Sequence, residues 1–183
     1  GAATQLTSTP PGSGQPSWSP NGTQLAFYSP RAGHDDLYVM TLDSGATIQL
    51  TDDHDYDWEP DWSPDGDRIA FKSDRSGNSD IWIAPATGGA LVQVTHDGAE
   101  DFHPAWSPDG TEIAFVSDRG GHRDIWVIPA AGGIARQITD DPAAIEVPDL
   151  EHDLFVGHLR QLRRLLEDRP ADHHADDLLD AHL

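Results

Sequence analysis

The sequence predicts an all-β chain, a partial β-propeller of four-stranded antiparallel blades, and three observations carry that expectation. A short aromatic turn motif returns twice at a fixed step of 44 residues. Each 44-residue unit holds four short strand-like segments separated by turn residues. The third segment of every unit is apolar on both of its faces, as a strand packed between two neighbouring sheets must be.

The step is set by Pro16-Ser17-Trp18-Ser19-Pro20-Asn21-Gly22, Pro60-Asp61-Trp62-Ser63-Pro64-Asp65-Gly66 and Pro104-Ala105-Trp106-Ser107-Pro108-Asp109-Gly110. Phe27, Phe71 and Phe115 keep the same spacing, as do Asp36, Asp80 and Asp124, and Thr51, Thr95 and Thr139. Self-similarity at this period is the mark of a repeat architecture, and a unit of this length is the size of one propeller blade.

Within a unit, the first strand ends at the Trp-Ser-Pro-Asp-Gly turn. There proline presets φ and glycine follows the bend. The second strand is Ile69–Ser73, matching Leu25–Ser29 and Ile113–Ser117, and the third is Asp80–Ala84, with counterparts at 36–40 and 124–128. Ile81 and Ile83 lie on one face of it and Trp82 on the other. A glycine turn (Ser44-Gly45, Gly88-Gly89, Gly132-Gly133) leads to the fourth, Val92–Thr95 and its equivalents. Short strands at regular spacing with turn chemistry between them are the signature of antiparallel β structure.

Taken together, Pro-x-Trp-Ser-Pro-Asp-Gly, Ile-Ala-Phe-x-Ser-Asp-Arg, Asp-Ile-Trp, the glycine turn and Ile-Thr resemble the TolB-like (WD40-like) propeller repeat. The resemblance covers residues 15–141 in three copies, plus 1–7. It implies a fragment of a larger six- or seven-bladed propeller, and a non-catalytic scaffold for a protein or peptide partner in the periplasm or another extracytoplasmic compartment. Two other activities also use such repeats. One is the accessory propeller of a prolyl oligopeptidase-type or tricorn-like peptidase, here without its hydrolase domain. The other is a metal-dependent, oligogalacturonate-lyase-like propeller.

Residues 1–7 stand 44 before Gly45–Thr51 and share four identities with them, so they read as the last strand of a preceding blade. A linker at 8–14 follows, then blades at 15–51, 52–95 and 96–141. Pro148 opens a further unit on schedule, but Leu150 stands where Trp is due. In the divergent tail, 142–183, Phe155, Leu159, Leu162 and Leu166 fall on one stripe at helical spacing. Two explanations stay open: a helix that caps the last blade, or a frameshift, since Leu-Glu-His read one nucleotide later can encode Trp-Ser. Uncovered blade edges predict self-association.

Composition excludes several function classes. With 32 acidic against 11 basic side chains and a formal charge of −21, no basic surface is expected to hold nucleic acid or an anionic membrane. There is no cysteine, which removes disulfides and thiolate metal sites. No apolar run is long enough for membrane insertion as a helix.

No catalytic residue is expected. The chain lacks a Gly-x-Ser-x-Gly elbow, and a serine copied into every turn is structural. The loops that lead from one blade into the next, 52–59 and 96–103, carry the candidates for partner binding: His54, Tyr56, Asp57, Glu59, Asp101, Phe102 and His103. They set aromatic anchors among charges, a mixture favoured at interfaces, with Trp58 expected to pack between blades. Carboxylates there suit hard cations and the added histidines suit transition metals. The spacing is not that of an EF-hand; no metal ligand is assigned and no cofactor is expected, with a divalent cation on these loops kept as the alternative. Asp74 and Asp118 are expected to bond loop amides.

Overall fold

Three antiparallel four-stranded sheets, each a simple meander, make up the fold in a computed structural model that describes residues 3–8 and 12–140. The first holds β1 (Gly14–Trp18), β2 (Gln24–Ser29), β3 (Asp36–Thr41) and β4 (Thr47–Gln49). The second holds β5 (Asp57–Trp62), β6 (Arg68–Ser73), β7 (Asp80–Pro85) and β8 (Val92–Gln93). The third holds β9 (Asp101–Trp106), β10 (Glu112–Ser117), β11 (Asp124–Pro129) and β12 (Arg136–Gln137). Pairing runs in sequence order within each sheet, and equivalent strands keep the 44-residue step. A 3-10 turn, Pro30–Ala32, sits between β2 and β3.

The core lies between the sheets. Ala26, Leu37 and Val39 of the first blade bury against Trp62, Ile69, Phe71 and Ala84 of the second, with Trp82 alongside. On the other side of that blade, Ala70, Ile81, Ile83 and Val94 bury against Trp106, Ile113, Phe115 and Ile128 of the third. The two-faced third strand foreseen from Ile81, Trp82 and Ile83 is the physical reason for this stacking.

Local chemistry sets the strand ends. Ser63 Oγ donates to Arg68 O at 2.9 Å and accepts from Arg68 N–H at 3.0 Å, so the Ser of Trp-Ser-Pro closes the turn. Ser19 does the same for Gln24, and Ser107 Oγ accepts from Glu112 N–H while donating to Asp109 Oδ1. Gly66 and Gly110 follow at φ 80° and 71°, a region that suits glycine. The fourth strands are shorter than expected. Beyond Gln93 the chain leaves the ladder, and Val94 N–H and Thr95 N–H both turn onto Ile81 O.

Residues 3–8 form no strand. Each observed fourth strand pairs with the third strand of its own blade, and none of the described strands pairs with residues 3–8. The same asymmetry marks Trp18, which is 59% exposed, whereas its equivalents Trp62 and Trp106 are 5% and 3% exposed against the preceding blade. The divergent tail, with its predicted helix, lies outside the described residues.

Candidate functional site

Each blade is joined to the next by two sets of contacts, and these place the candidate residues. The first begins with backbone. Asp57 N–H donates to Asp35 O, and Asp101 N–H donates to Ser79 O, both at 2.8 Å, stitching the start of one blade to the third strand of the one before. Beside each stitch is a buried carboxylate gripped by arginine. Arg75 Nη2 reaches both oxygens of Asp57, at 2.8 and 2.9 Å, its Nη1 meets Asp53 at 3.1 Å, and its Nε donates to Ser73 Oγ at 2.8 Å. One blade on, Arg119 repeats the pattern with Asp101 at 2.6 Å, Asp97 at 2.9 Å and Ser117 at 2.8 Å.

Asp57 and Asp101 are fully buried. The expectation that they form part of a partner-facing surface is therefore corrected: their charge is spent inside the protein on holding adjacent blades. Burial raises the pKa of both above the usual carboxylate value, outweighing the opposite pull of Ser73, Thr51 and Arg75 on Asp57, and of Ser117, Arg119 and Thr95 on Asp101.

A third carboxylate completes each constellation. Asp80 is satisfied on both oxygens. Thr95 Oγ1 donates to Oδ1 at 2.9 Å, Gln93 Nε2 donates to Oδ2 at 3.1 Å, and Ser76 Oγ donates to Oδ2 as well. Asp36, its equivalent, accepts from Gln49 Nε2 on Oδ2 at 3.1 Å, but its buried Oδ1 has no hydrogen-bond partner. One carboxylate oxygen from each of Asp36, Asp53 and Asp57 lies within 4.8 Å of the others. Burial, then the charges of Asp57, Asp53 and Asp52, push the Asp36 pKa up to about 6.

The second set of contacts is a ladder across the first strands. Pro16, Pro60 and Pro104 have no N–H for the sheet, and the pairing slips at each of them. In the slip, Gln15, Glu59 and His103 take φ of 48°, 59° and 54°, a costly conformation for residues with a Cβ. The Gln15 and Glu59 side chains then serve the next blade. Gln15 Oε1 accepts from Glu59 N–H at 2.9 Å, and Glu59 Oε2 accepts from His103 N–H at 2.6 Å. Glu59 Oε1 also lies 3.1 Å from His103 Nδ1. Burial pushes the Glu59 carboxyl up, but the hydrogen bonds and charge of His103, with Lys72, outweigh it and hold the pKa below its usual value.

The remaining candidates are on the loops. Tyr56 is 44% exposed and stacks on Trp58, with centroids 5.2 Å apart. Trp58 is only partly buried; its Nε1 donates to Asp35 Oδ2 at 2.9 Å and Lys72 Nζ lies 4.6 Å from its ring. His54 is exposed, 4.7 Å from the His34 ring of the preceding blade. Phe102 meets His103 edge-on, with Arg123 over its face. The structure thus brings Tyr56 with Trp58, and Glu59 with His103, but does not gather all seven candidates into one site. As expected, Asp74 and Asp118 accept from loop amides, those of Tyr56 at 2.8 Å and Glu100 at 3.0 Å.

A family model described as the TolB beta propeller domain matches residues 1–100 and 76–153. The chain belongs to the TolB β-propeller family. It is 30% identical to the putative TolB from Agrobacterium tumefaciens, with a TM-score of 0.66 over 74% of this chain and 51% of that one. The TolB from Acinetobacter baumannii is 24% identical, with a TM-score of 0.65 over 74% and 34%. A Mycobacterium tuberculosis puromycin-hydrolyzing peptidase, 18% identical with a TM-score of 0.58 over 70% and 22%, shares the fold alone. This TolB-family chain spans about half the length of the Agrobacterium protein and a third of the Acinetobacter one. No curated protein sequence matches it.

Sequence reasoning missed the arginines. Arg31, Arg75 and Arg119 recur at the 44-residue step, and in a chain so short of cations a repeated arginine is the available signal for a repeated buried carboxylate. Gln15 was missed for the opposite reason: it, Glu59 and His103 occupy equivalent positions with three different chemistries, which a search for identities passes over.

Proposed function

We propose that this chain is a non-catalytic binding module of the TolB type, acting outside the cytoplasm, and that its acidic loop face takes a basic, aromatic-bearing segment of a protein partner. The observation that carries this reading is the exposed Tyr56 stacked on Trp58, in a loop that also carries Asp52, Asp53 and Asp55. Rigid aromatic rings at the centre of a contact supply much of its affinity, and a formal charge of −21 favours fast encounter with a basic partner. In this reading Phe102, with Arg123 over its ring, adds a second aromatic contact on the next blade.

Peptides selected by display against the full chain, then measured by titration calorimetry, test the proposal. Enrichment in Lys or Arg with an aromatic residue is expected, with affinity about tenfold weaker for Tyr56→Ala and falling with added salt. Selected peptides that are neutral, or that bind Tyr56→Ala as well as the parent, would overturn it. Likeness to the peptidase propeller supplies no catalytic reading, because at that identity it speaks for the fold alone.

A further inference from the structure

The two blade joints differ in how their loops are tied. Between the second and third blades, Asn78 Nδ2 donates to Asp97 O at 3.2 Å and to Ala99 O at 2.6 Å, lacing the loop before β7 to the loop before β9. Between the first and second blades, the residues 44 positions earlier are His34 in place of Asn78 and His54 in place of Gly98. The asparagine lacing is gone, and an imidazole stands where the next joint has no side chain. His34 is half-buried and His54 exposed. Their rings lie 4.7 Å apart, tilted by 48°. Among the described residues, neither imidazole has a hydrogen-bond or ion-pair partner. His122 holds the same place in the third blade, but the residue 20 further on, where His54 follows His34, is Pro142. The paired histidines therefore belong to one joint alone.

Neutral imidazole is a ligand for zinc, copper and nickel, and the spacing of the two rings suits one shared ion. A metal–nitrogen bond is about 2.0–2.1 Å, and the ring centre lies about 1.1 Å beyond the nitrogen. For a nitrogen–metal–nitrogen angle of about 90–109°, the two ring centres then stand about 4.5–5.2 Å apart. The observed 4.7 Å falls within that range. The exposed side of His54 leaves room for water to complete the coordination shell. Asp35, Asp52, Asp53 and Asp55 flank the pair in sequence, and their field concentrates cations there. Asp35 is engaged by the Trp58 indole and Asp53 by Arg75, so the histidines supply the ligand atoms. Calcium and magnesium, which take oxygen ligands, gain nothing from imidazole.

We propose that His34 and His54 form a surface site for a divalent transition metal of the zinc type across the joint between the first and second blades. The ion ties there the two loops that Asn78 ties in the next joint.

The test titrates zinc into the full chain freed of metal by chelator and carrying His173→Ala and His174→Ala, so that the adjacent histidines of the tail add no background. Calorimetry should show one zinc site, about tenfold or more weaker in His34→Asn and in His54→Gly, and unchanged in His122→Asn. The first two variants install the residues that the next joint holds, Asn78 and Gly98, and so suit the fold. Zinc at a hundredfold excess over Kd should raise Tm by about 5–10 °C, and calcium or magnesium at the same concentration should not. Absence of zinc binding, or equal affinity in the parent and in His34→Asn, overturns the proposal. A Tm rise that calcium matches overturns it too, by reducing the effect to charge screening. Should the variants fail to fold, the parent decides: zinc must protect His34 and His54, but not His122, from carbethoxylation by diethyl pyrocarbonate, read by peptide mass mapping. Unchanged modification of His34 and His54 in zinc overturns the proposal.

Discussion

Replacing Arg119 with methionine removes the guanidinium while keeping an unbranched side chain over Phe115 and Trp126. The parent arginine lies 5.0 and 5.1 Å from those rings and holds the fully buried Asp101. In the variant, Asp101 must stay charged without its partner or take up a proton. Removing one member of a buried pair typically costs about 3–5 kcal/mol. Protonation sets a ceiling on the charge part of that cost. Neutralising an ordinary aspartate takes about 4 kcal/mol at pH 7 and about 1.5 kcal/mol at pH 5. Burial already holds Asp101 above its usual pKa in the parent, so part of the cost is present before the mutation. The expected loss is about 3 kcal/mol at pH 7, falling to about 1 kcal/mol at pH 5. The sign follows from proton counting. A carboxyl whose folded pKa exceeds its unfolded value binds more protons when folded, so stability is lost as pH rises through that window. Loss of Arg119 extends the window upward. Urea unfolding followed by tryptophan fluorescence at both pH values measures the difference, and Asp101→Asn in the same background should restore part of it. A loss below about 1 kcal/mol at pH 7, or equal losses at pH 5 and 7, would refute the reasoning.

Trp106→Ala should cost about 3–5 kcal/mol in the same assay, and Trp18→Ala under about 1 kcal/mol, since only the former is buried between blades; equal losses would show that the repeats are equivalent after all. Glu59→Gln should cost about 1–2 kcal/mol at pH 7. Because His103 depresses the Glu59 pKa below its unfolded value, that contribution is present above the ordinary carboxylate range and disappears as pH falls through the folded pKa, so parent and variant should converge in acid unfolding below about pH 4. Gly22→Ala should cost about 1 kcal/mol from backbone strain alone. Gly110→Ala should cost more, because its new Cβ would meet Pro64 of the preceding turn at 3.2 Å whereas nothing lies near Gly22; chevron or equilibrium unfolding separates the two.

The architecture was legible because it is written in identities. Trp18, Trp62 and Trp106, the Pro-Asp-Gly turns and the two-faced third strands gave strand order and boundaries to within a residue or two. The partner-binding residues were only partly legible. Tyr56 reads correctly as an exposed ring, but Asp57 reads like any other acid in an acidic loop. Its burial depends on Arg75, 18 residues further on, and on the shape of the preceding blade. The fourth strands came out shorter than their sequence pattern because Thr51, Thr95 and Thr139 use side-chain oxygens to receive the amides that begin the third strands. That is a local competition which alternation of polar and apolar residues does not reveal.

The ladder from Gln15 to Glu59 to His103 bears on how a repetitive chain avoids assembling itself in the wrong order. Blades that share their turns, their cores and their arginine grips could stack in any sequence, or swap between two copies, at little cost. One variable position per repeat breaks that degeneracy. An amide bound by a glutamine oxygen, and a histidine met by a carboxylate, are adjacency rules that a shuffled stack does not satisfy: His103 placed after Gln15 would lose its anionic partner, and Glu59 placed after His103 would lose its neutral acceptor. Duplication can copy a blade freely; a few polar atoms at a strained bend then tell each copy which neighbour is its own.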